Sequence, residues 1–185
     1  MDIIAEVKTK SPFGFVSLYA EQVLFNVADQ IGNIISIHTN RRWGGSMDLI
    51  TKYHTQTNKP ILAKGIHGTD QEVEQALRYG ASYVLVVGRI PDKSLWPWIM
   101  YEPLNLAQLK DTPPELKVVW NSRNLTDGSL KIESFAEARA LFPGWLCQAS
   151  NIKYPNDILP GAEAIIIGQN LVHYYKMING SNCDQ

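Results

Sequence analysis

The sequence predicts an α/β fold in which parallel strands close into a (β/α)8 barrel. Eight short apolar runs recur along the chain, namely IIAEV, NIISIHT, PILAKG, YVLVVG, WIMYE, LKVVWN, WLCQAS and AEAIIIG. Several runs are rich in β-branched residues and apolar at nearly every position, which is typical of parallel strands covered by helices. Helix-like segments separate most of these runs, and this alternation indicates a parallel sheet. Eight strand units favour a closed barrel over an open doubly wound sheet.

Five segments between the strands have the pattern of amphipathic helices: YAEQVLFNVADQIG, SMDLITKYHTQT, TDQEVEQALRYGA, ESFAEARALF and QNLVHYYKMI. The third is the clearest, because Thr69 or Asp70 can cap its N-terminus and Gly80 can end it. Ser46 is the expected cap of the second segment. It closes a Gly-Gly-Ser turn that lacks the spacing of a phosphate-binding Walker loop.

The chain is short for this fold, since a typical TIM barrel has roughly 250 residues and this chain has 185. The missing length falls on three connections. DKSLWP alone separates the fourth and fifth strands, Pro113 and Pro114 interrupt the fifth connection, and the seventh, NIKYPNDILPG, is also short. We therefore expect a trimmed barrel with short or missing helices around the fourth, fifth and seventh units. Because Met1 lies just before the first strand, we expect no N-terminal extension.

The composition is that of an ordinary globular chain, with 45% hydrophobic and 19% charged residues. The 17 basic and 18 acidic residues nearly cancel, and no basic run occurs. Electrostatics therefore gives no support to nucleic acid or an anionic membrane as a partner, while a small acidic metabolite stays open. We expect one barrel domain over residues 1–180 and a disordered tail over residues 181–185.

The sequence also predicts where the protein resides and how its cysteines behave. It has neither the charged start and apolar run of a secretory signal nor a run long enough to span a bilayer, so we expect a cytoplasmic protein. Cys147 and Cys183 are then expected to be reduced thiols. The histidines lack metal-ligand spacing. Trimmed helices would expose apolar barrel surface, which favours a homodimer.

Polar residues stand at the predicted carboxyl ends of four strands, where (β/α)8 barrels hold their reacting groups. They are Glu6, Lys8, Lys64, Glu102, Asn121 and Arg123. Taken singly, each could be a solvated strand end or half of a surface ion pair. Gathered at one mouth, they would offer lysines of lowered proton affinity and carboxylates of raised proton affinity. Such a set suits proton transfer on an anionic substrate.

The first strand poses this choice most directly. Ile4, Glu6 and Lys8 share one face of the strand, while Ala5 and Val7 share the other. The two charges could mark a wet edge strand or the mouth of a pocket. Because the neighbouring runs are too apolar for a wet sheet face, we favour the pocket.

His38 and the five tryptophans are interpreted as packing residues. His38 ends the second strand and could face the mouth, but a satisfied packing role is slightly favoured. The tryptophans lack an accompanying basic stripe, so a nucleic-acid stacking platform is not indicated.

The run IIAEVKTKSP resembles the first strand of the indole-3-glycerol phosphate synthase family, whose pattern is an apolar run, Glu, one residue, Lys, two residues and Ser-Pro. Further agreement follows in chain order with SIHT, GGS, KPILAK, EQALRYGASYVLVV, AQL after the fifth strand, WNSRNL and GAEAIIIGQNLV. This resemblance implies a lyase of tryptophan biosynthesis that closes the indole ring of 1-(2-carboxyphenylamino)-1-deoxyribulose 5-phosphate. Carbon dioxide and water are lost, and neither a metal nor an organic cofactor is implied.

The resemblance also implies roles for individual residues. Lys64 would be the general acid that protonates the ribulose carbonyl, and Glu102 would be the base of the later dehydration. Lys8 would hold the anionic groups of the substrate, and Glu6 would orient the lysines. The implied substrate-binding residues are Ser11, Asn121, Arg123, Ser150 and Gly168. Phosphate would lie against backbone amides around Ser150 and Gly168.

The chain departs from the family pattern at several positions. Ala149 stands where a catalytically important Glu is expected, and Asn151 stands where Gly lets the backbone approach phosphate. Gly65, Ser122 and Gln169 also differ from the family pattern. A second hypothesis therefore stays open, namely a degenerate or repurposed barrel that binds a phosphorylated or carboxylated ligand, or a protein partner, without this activity. A third is another reaction in the same barrel, such as the neighbouring isomerase step, although the two-lysine pattern fits the synthase better.

Overall fold

The computed structural model describes residues 1–180, and these residues form a closed barrel of eight parallel strands. The strands are β1 (Asp2–Val7), β2 (Ile34–His38), β3 (Ile61–Lys64), β4 (Tyr83–Val87), β5 (Ile99–Glu102), β6 (Lys117–Asn121), β7 (Leu146–Ala149) and β8 (Ala164–Ile167). Each strand pairs with its neighbours in the sequence, and β1 pairs with β8 to close the barrel. The predicted fold is confirmed. The predicted disordered tail, residues 181–185, lies outside the described residues.

Helices alternate with the strands, as the sequence predicts. They are α1 (Glu21–Ile31), α2 (Met47–His54), α3 (Asp70–Arg78), α4 (Leu106–Lys110), α5 (Phe135–Leu141) and α6 (Leu171–Ile178). The connections after β4 and β7 contain only 3-10 helices, Lys93–Trp98 and Pro155–Asp157, and α4 has five residues. The three trimmed units are thus confirmed. Within residues 1–180, no helix combines the length and apolar character needed to cross a membrane.

Capping explains where the predicted helices begin. At α3, the Thr69 hydroxyl accepts a hydrogen bond from the backbone N–H of Glu72, and the Glu72 carboxylate accepts one from the N–H of Thr69. This reciprocal pair satisfies two backbone donors that the first helical turn leaves without partners. Ser46 occupies the N-cap position of α2 as predicted, but its side chain makes no capping hydrogen bond.

The barrel wall separates two apolar layers. One layer fills the barrel interior and consists of Ile4, Ile34, Leu62, Leu85, Met100, Val119, Cys147, Ala149, Ala164 and Ile166. The other lies between the strands and the helices, and it includes Ala5 and Val7 of β1. Because side chains alternate along a strand, Glu6 follows Ile4 onto the inner face. This placement confirms the predicted alternation of the first strand.

The trimmed units still cover the barrel wall. The outward-facing residues of β4 and β5 are all buried, and they are Val84, Val86, Ile99 and Tyr101. Leu95 of the 3-10 helix packs in the same apolar layer. The expectation of exposed barrel surface at these strands is therefore wrong, because a short 3-10 helix and α4 suffice to shield them. The homodimer stays a prediction without that support.

Candidate active site

A cavity of about 140 Å³ opens where the carboxyl ends of the strands meet. The predicted site residues that line it are Glu6, Lys8, Lys64, Glu102, Asn121, Arg123, Ser150 and Gly168. Ser11 lies outside this lining. Its hydroxyl accepts from the backbone N–H groups of Phe13 and Phe15 at 3.3 and 3.4 Å, so it shapes the loop after β1. The barrel thus brings together all but one of the predicted residues.

Glu6 is the centre of one side of the cavity. Its Oε1 lies 2.7 Å from Nζ of Lys64 and 2.5 Å from Nε2 of His38, and the residue is only 3% exposed. Burial by itself raises the pKa of Glu6, but the charges of Lys64 and Lys8, together with the contact to His38, outweigh burial and hold that pKa well below its usual range. Glu6 is therefore a carboxylate at neutral pH, and one of its oxygens accepts from Lys64 and lies against His38.

The two lysines of the site differ in proton affinity. Burial lowers the pKa of Lys64, but Glu6 and Glu102 outweigh burial, so the net pKa is raised. Burial also lowers the pKa of Lys8, where Lys64 and Arg123 add to the lowering and Glu6 opposes it, so the net pKa is lowered. The expected lysine of lowered proton affinity is thus Lys8, while Lys64 stays firmly protonated because it contacts a carboxylate.

Glu102 is the centre of the other side of the cavity. It ends β5, is 2% exposed, and accepts a hydrogen bond at Oε1 from Nδ2 of Asn121 at 3.0 Å. Asn121 is itself held through Oδ1, which accepts from the Ser150 hydroxyl at 2.7 Å and from the backbone N–H of Arg123 at 3.0 Å. Burial raises the pKa of Glu102, and Lys64 and Asn121 offset only part of this effect. Such a carboxylate suits proton abstraction.

Arg123 lies in the loop after β6, and among residues 1–180 its guanidinium makes no hydrogen bond to a carboxylate. The Arg123 guanidinium donates to Oδ1 of Asn151 at 3.0 Å and to the carbonyl of Gly128 at 3.2 Å, both neutral groups. Ser150 and Asn151 have φ values of 75° and 59°, in the left-handed region. Asn adopts this region more readily than most residues, which explains how Asn151 replaces the expected Gly.

Gly168 follows β8 and borders the Glu6 side. A Cβ at this position would lie 1.8 Å from Oε2 of Glu6, so any other residue would displace the carboxylate. The need for glycine here thus has a physical cause within the chain. Binding of phosphate by the amides around Ser150 and Gly168 stays a prediction.

His38 is a cavity residue that the sequence interpretation misses. The sequence favours packing for it, whereas the structure places its imidazole in the cavity against Glu6 and stacked on Trp43, with ring centroids 6.0 Å apart and planes 8° apart. The alternation along β2 contains the signal, because Ile34 and His38 are four residues apart and therefore share the inner face.

The rest of the lining is largely apolar. It includes Phe13, Trp43, Ile66, Leu85, Val87, Leu125, Ile152 and Ile166. Ala149, the position where a Glu is expected, lies in the apolar interior of the barrel at 2% exposure. A charged centre with apolar walls suits a ligand that carries both anionic groups and an apolar part.

Comparison with known proteins supports a distant relationship. No family model matches the chain. It is 26% identical over 193 residues to the indole-3-glycerol phosphate synthase of Streptomyces griseus subsp. griseus, covering 92% of this chain and 72% of that protein. It is 28% identical over 193 residues to the indole-3-glycerol phosphate synthase of Campylobacter curvus, covering 92% of this chain and 74% of that protein.

Solved structures share the fold at lower identity. The crystal structure of 3-hexulose-6-phosphate synthase has a TM-score of 0.66 and 15% identity, covering 98% of this chain and 99% of that one. A chain of the tryptophan synthase complex from Pyrococcus furiosus has a TM-score of 0.62 and 11% identity, covering 97% and 98%. At such identity these likenesses show the fold alone. The chain is a TIM barrel with distant sequence similarity to indole-3-glycerol phosphate synthases.

Proposed function

We propose that this barrel is a lyase of the indole-3-glycerol phosphate synthase type, which closes and decarboxylates 1-(2-carboxyphenylamino)-1-deoxyribulose 5-phosphate. One observation carries the proposal. A single cavity holds a protonated lysine on a buried carboxylate, Lys64 on Glu6, and a second buried carboxylate of raised pKa, Glu102. The names of the curated relatives support the same reaction.

Ring closure needs an acid at the ribulose carbonyl. The aromatic carbon that carries the carboxylate bonds to the carbonyl carbon while Lys64 donates a proton to the carbonyl oxygen. The bond to the carboxylate then breaks, carbon dioxide leaves, and the electron pair of that bond returns to the ring. Lys64 suits this role because its contact with Glu6 at 2.7 Å orients the ammonium and keeps it protonated.

Dehydration then needs an acid and a base together. The new hydroxyl leaves as water after it gains a proton, and a base removes a proton from the neighbouring carbon to form the indole double bond. Glu102 suits the base role because burial raises its pKa and Asn121 fixes its position. Lys8 suits proton donation to the departing hydroxyl because its pKa is lowered.

Binding of the substrate would use the remaining charges of the cavity. Lys8 and Arg123 both line it, and the guanidinium of Arg123 contacts neutral oxygens, so its charge is available to a phosphate or carboxylate. The backbone amides around Ser150 and Gly168 would complete the phosphate site. The apolar walls would take the aromatic ring.

A second candidate function is a barrel that binds a phosphorylated or carboxylated ligand without this chemistry. Ala149 favours it, because the inner face of β7 offers only Cys147 and Ala149 where a carboxylate is expected next to Asn121. In this case the anion site would persist while a substrate contact is missing.

Turnover decides between the two. The protein is incubated with the carboxyphenylamino-deoxyribulose phosphate, and indole fluorescence is followed for the wild type, Lys64→Ala and the surface control Lys52→Ala, whose ammonium contacts Glu21. We expect turnover by the wild type and the control, and a loss of about 10²- to 10⁴-fold in Lys64→Ala, which is typical for removal of a general acid.

Turnover that does not depend on Lys64 would contradict the proposed lyase. So would no turnover by the wild type. If the substrate then raises the melting temperature by mass action without forming product, the second candidate is supported instead.

A further inference from the structure

The imidazole of His38 is held on several sides. It is 5% exposed, and Trp43 stacks on its ring. Its Nε2 lies 2.5 Å from Oε1 of Glu6, but the direction of the N–H falls outside hydrogen-bond geometry. Its backbone is equally confined, since a Cβ at Gly45 would lie 1.8 Å from the carbonyl oxygen of His38. Because the imidazole is confined in this way, it restricts the position that the Glu6 carboxylate can adopt.

The proton on the imidazole follows from its partner. Burial lowers the pKa of His38 and outweighs the opposing effect of Glu6, so the ring is neutral at neutral pH and carries one N–H. Glu6 is ionised and can only accept, so this N–H belongs on Nε2. The charged groups that face the ring are Glu6 of β1, Lys8 directly after β1 and Lys64 of β3. The 3-10 helix Arg41–Trp43 contributes the Trp43 ring.

We propose that His38 is a positioning residue. A small rotation of its ring lets Nε2 donate to Oε1 of Glu6, which also accepts from the Lys64 ammonium. A carboxylate oxygen that accepts two hydrogen bonds binds each donor less strongly than it would bind a single donor. His38 therefore weakens the hold of Glu6 on the Lys64 proton and fixes the carboxylate in the position that orients the ammonium. This assignment adds a third member to the predicted pair of Glu6 and Lys64.

The tautomer of His38 tests this contact without any substrate. Imidazole ¹⁵N–¹H spectra of the labelled wild-type protein are recorded at pH 7, and the His38 signals are assigned by their loss in His38→Gln. We expect a neutral ring protonated on Nε2. A ring protonated on Nδ1, or an imidazolium, would overturn the proposal.

Two substitutions should move the pKa of His38 in opposite directions. Glu6→Gln removes the carboxylate that favours the imidazolium, so the pKa should fall by about one unit, and Lys64→Met removes a cation, so it should rise by about one unit. The matched surface pair Glu21→Gln and Lys52→Met should leave it unchanged. No shift in either site variant, or shifts in one direction in both, would reject the shared oxygen. If a variant does not fold, as judged from its other histidine signals, the wild-type tautomer still decides.

A kinetic comparison rests on the proposed function and separates positioning from packing. His38→Gln keeps an N–H donor near the Nε2 position, whereas His38→Leu keeps only volume. We expect His38→Leu to lower kcat by about tenfold to a hundredfold with little change in KM, and His38→Gln to restore most of the loss. Equal losses in the two variants would show packing alone. If the wild type has no turnover, the proposed function fails while the spectra still decide the role of His38.

Discussion

The two sides of the cavity mouth shift the pKa of a buried carboxyl group in opposite directions. On the Glu6 side, the carboxylate meets Lys64 and His38, and its pKa lies well below the usual range. On the Glu102 side, the carboxylate meets the amide of Asn121, and its pKa is raised. Both residues are at most 3% exposed, so burial is common to the two sides. The direct contact decides the outcome, since Glu6 touches an ammonium and Glu102 touches a neutral amide.

This difference fits the two roles that the proposed function gives to the carboxylates. A carboxylate in contact with an ammonium stays ionised and suits the role of an anchor, whereas one with a neutral donor holds a proton more readily and suits the role of a base. The same contrast has consequences for stability. The lowered pKa of Glu6 stabilises the fold above the unfolded-state pKa, and this contribution is lost as the pH falls through the folded-state pKa. The raised pKa of Glu102 has the opposite effect, since it favours folding only at acid pH.

The largest expected effect comes from neutralising each carboxylate in turn. At pH 7, Glu6→Gln should lower the free energy of unfolding by about 3 kcal/mol, because it leaves the partly buried Lys64 cation with a neutral partner. Glu102→Gln should be at least as stable as the wild type at pH 7, because it removes a carboxylate whose ionisation opposes folding. Urea unfolding measures both, with the surface variant Glu21→Gln as control.

Both differences should shrink as the pH falls, since the wild-type carboxylates then become protonated. A larger loss in Glu102→Gln than in Glu6→Gln at pH 7 would reverse the comparison.

A smaller effect is expected from crowding the Glu6 side alone. Gly168→Ala places a Cβ 1.8 Å from Oε2 of Glu6, so the carboxylate must move and the ion pair with Lys64 must stretch. We expect a loss of about 2 kcal/mol in thermal unfolding, as is typical of overpacking. The control Gly68→Ala meets only a side-chain oxygen of Glu72 at 3.6 Å and should change little. Equal losses would show that Gly168 does not confine Glu6.

The smallest effect should fall on the Glu102 side. Ser150→Ala removes the hydroxyl that donates to Oδ1 of Asn121 at 2.7 Å, and the expected cost is about 1 kcal/mol in urea unfolding. The exposed control Ser129→Ala should cost less. The pKa of His38 should stay the same in Ser150→Ala, because the two sides are held by separate hydrogen bonds. A shift there would show that they are coupled.

Most of the fold could be predicted from the sequence because two patterns specify it, namely the alternation of strand and helix segments and the apolar character of the strands. The runs that became β1 to β8 are apolar on both faces, which a barrel wall between two apolar layers requires. The strand ends then placed Glu6, Lys64, Glu102 and Asn121 at one mouth, since inward-facing positions follow from alternation. The sequence does not indicate the 3-10 helix that shields β4 and β5, because DKSLWP is too short for an α-helix with its two loops.

The finer chemistry of the site depends on relations between strands that one sequence does not contain. His38 meets Glu6 and Lys64 because β2 pairs Ser36 with Glu6 and His38 with Lys64. That register is a property of the closed barrel. The same holds for the lysines, because burial and the charges around each ammonium in the closed barrel lower the pKa of Lys8 and raise that of Lys64.

The titration of the two carboxylates tests the central claim most directly. Carboxyl ¹³C shifts of labelled glutamates are followed against pH, with the signals assigned from Glu6→Gln and Glu102→Gln. Glu102 should titrate above the range of free glutamate, and Glu6 should stay ionised well below it. Two carboxylates that titrate together near the ordinary value, or in the reverse order, would contradict the account.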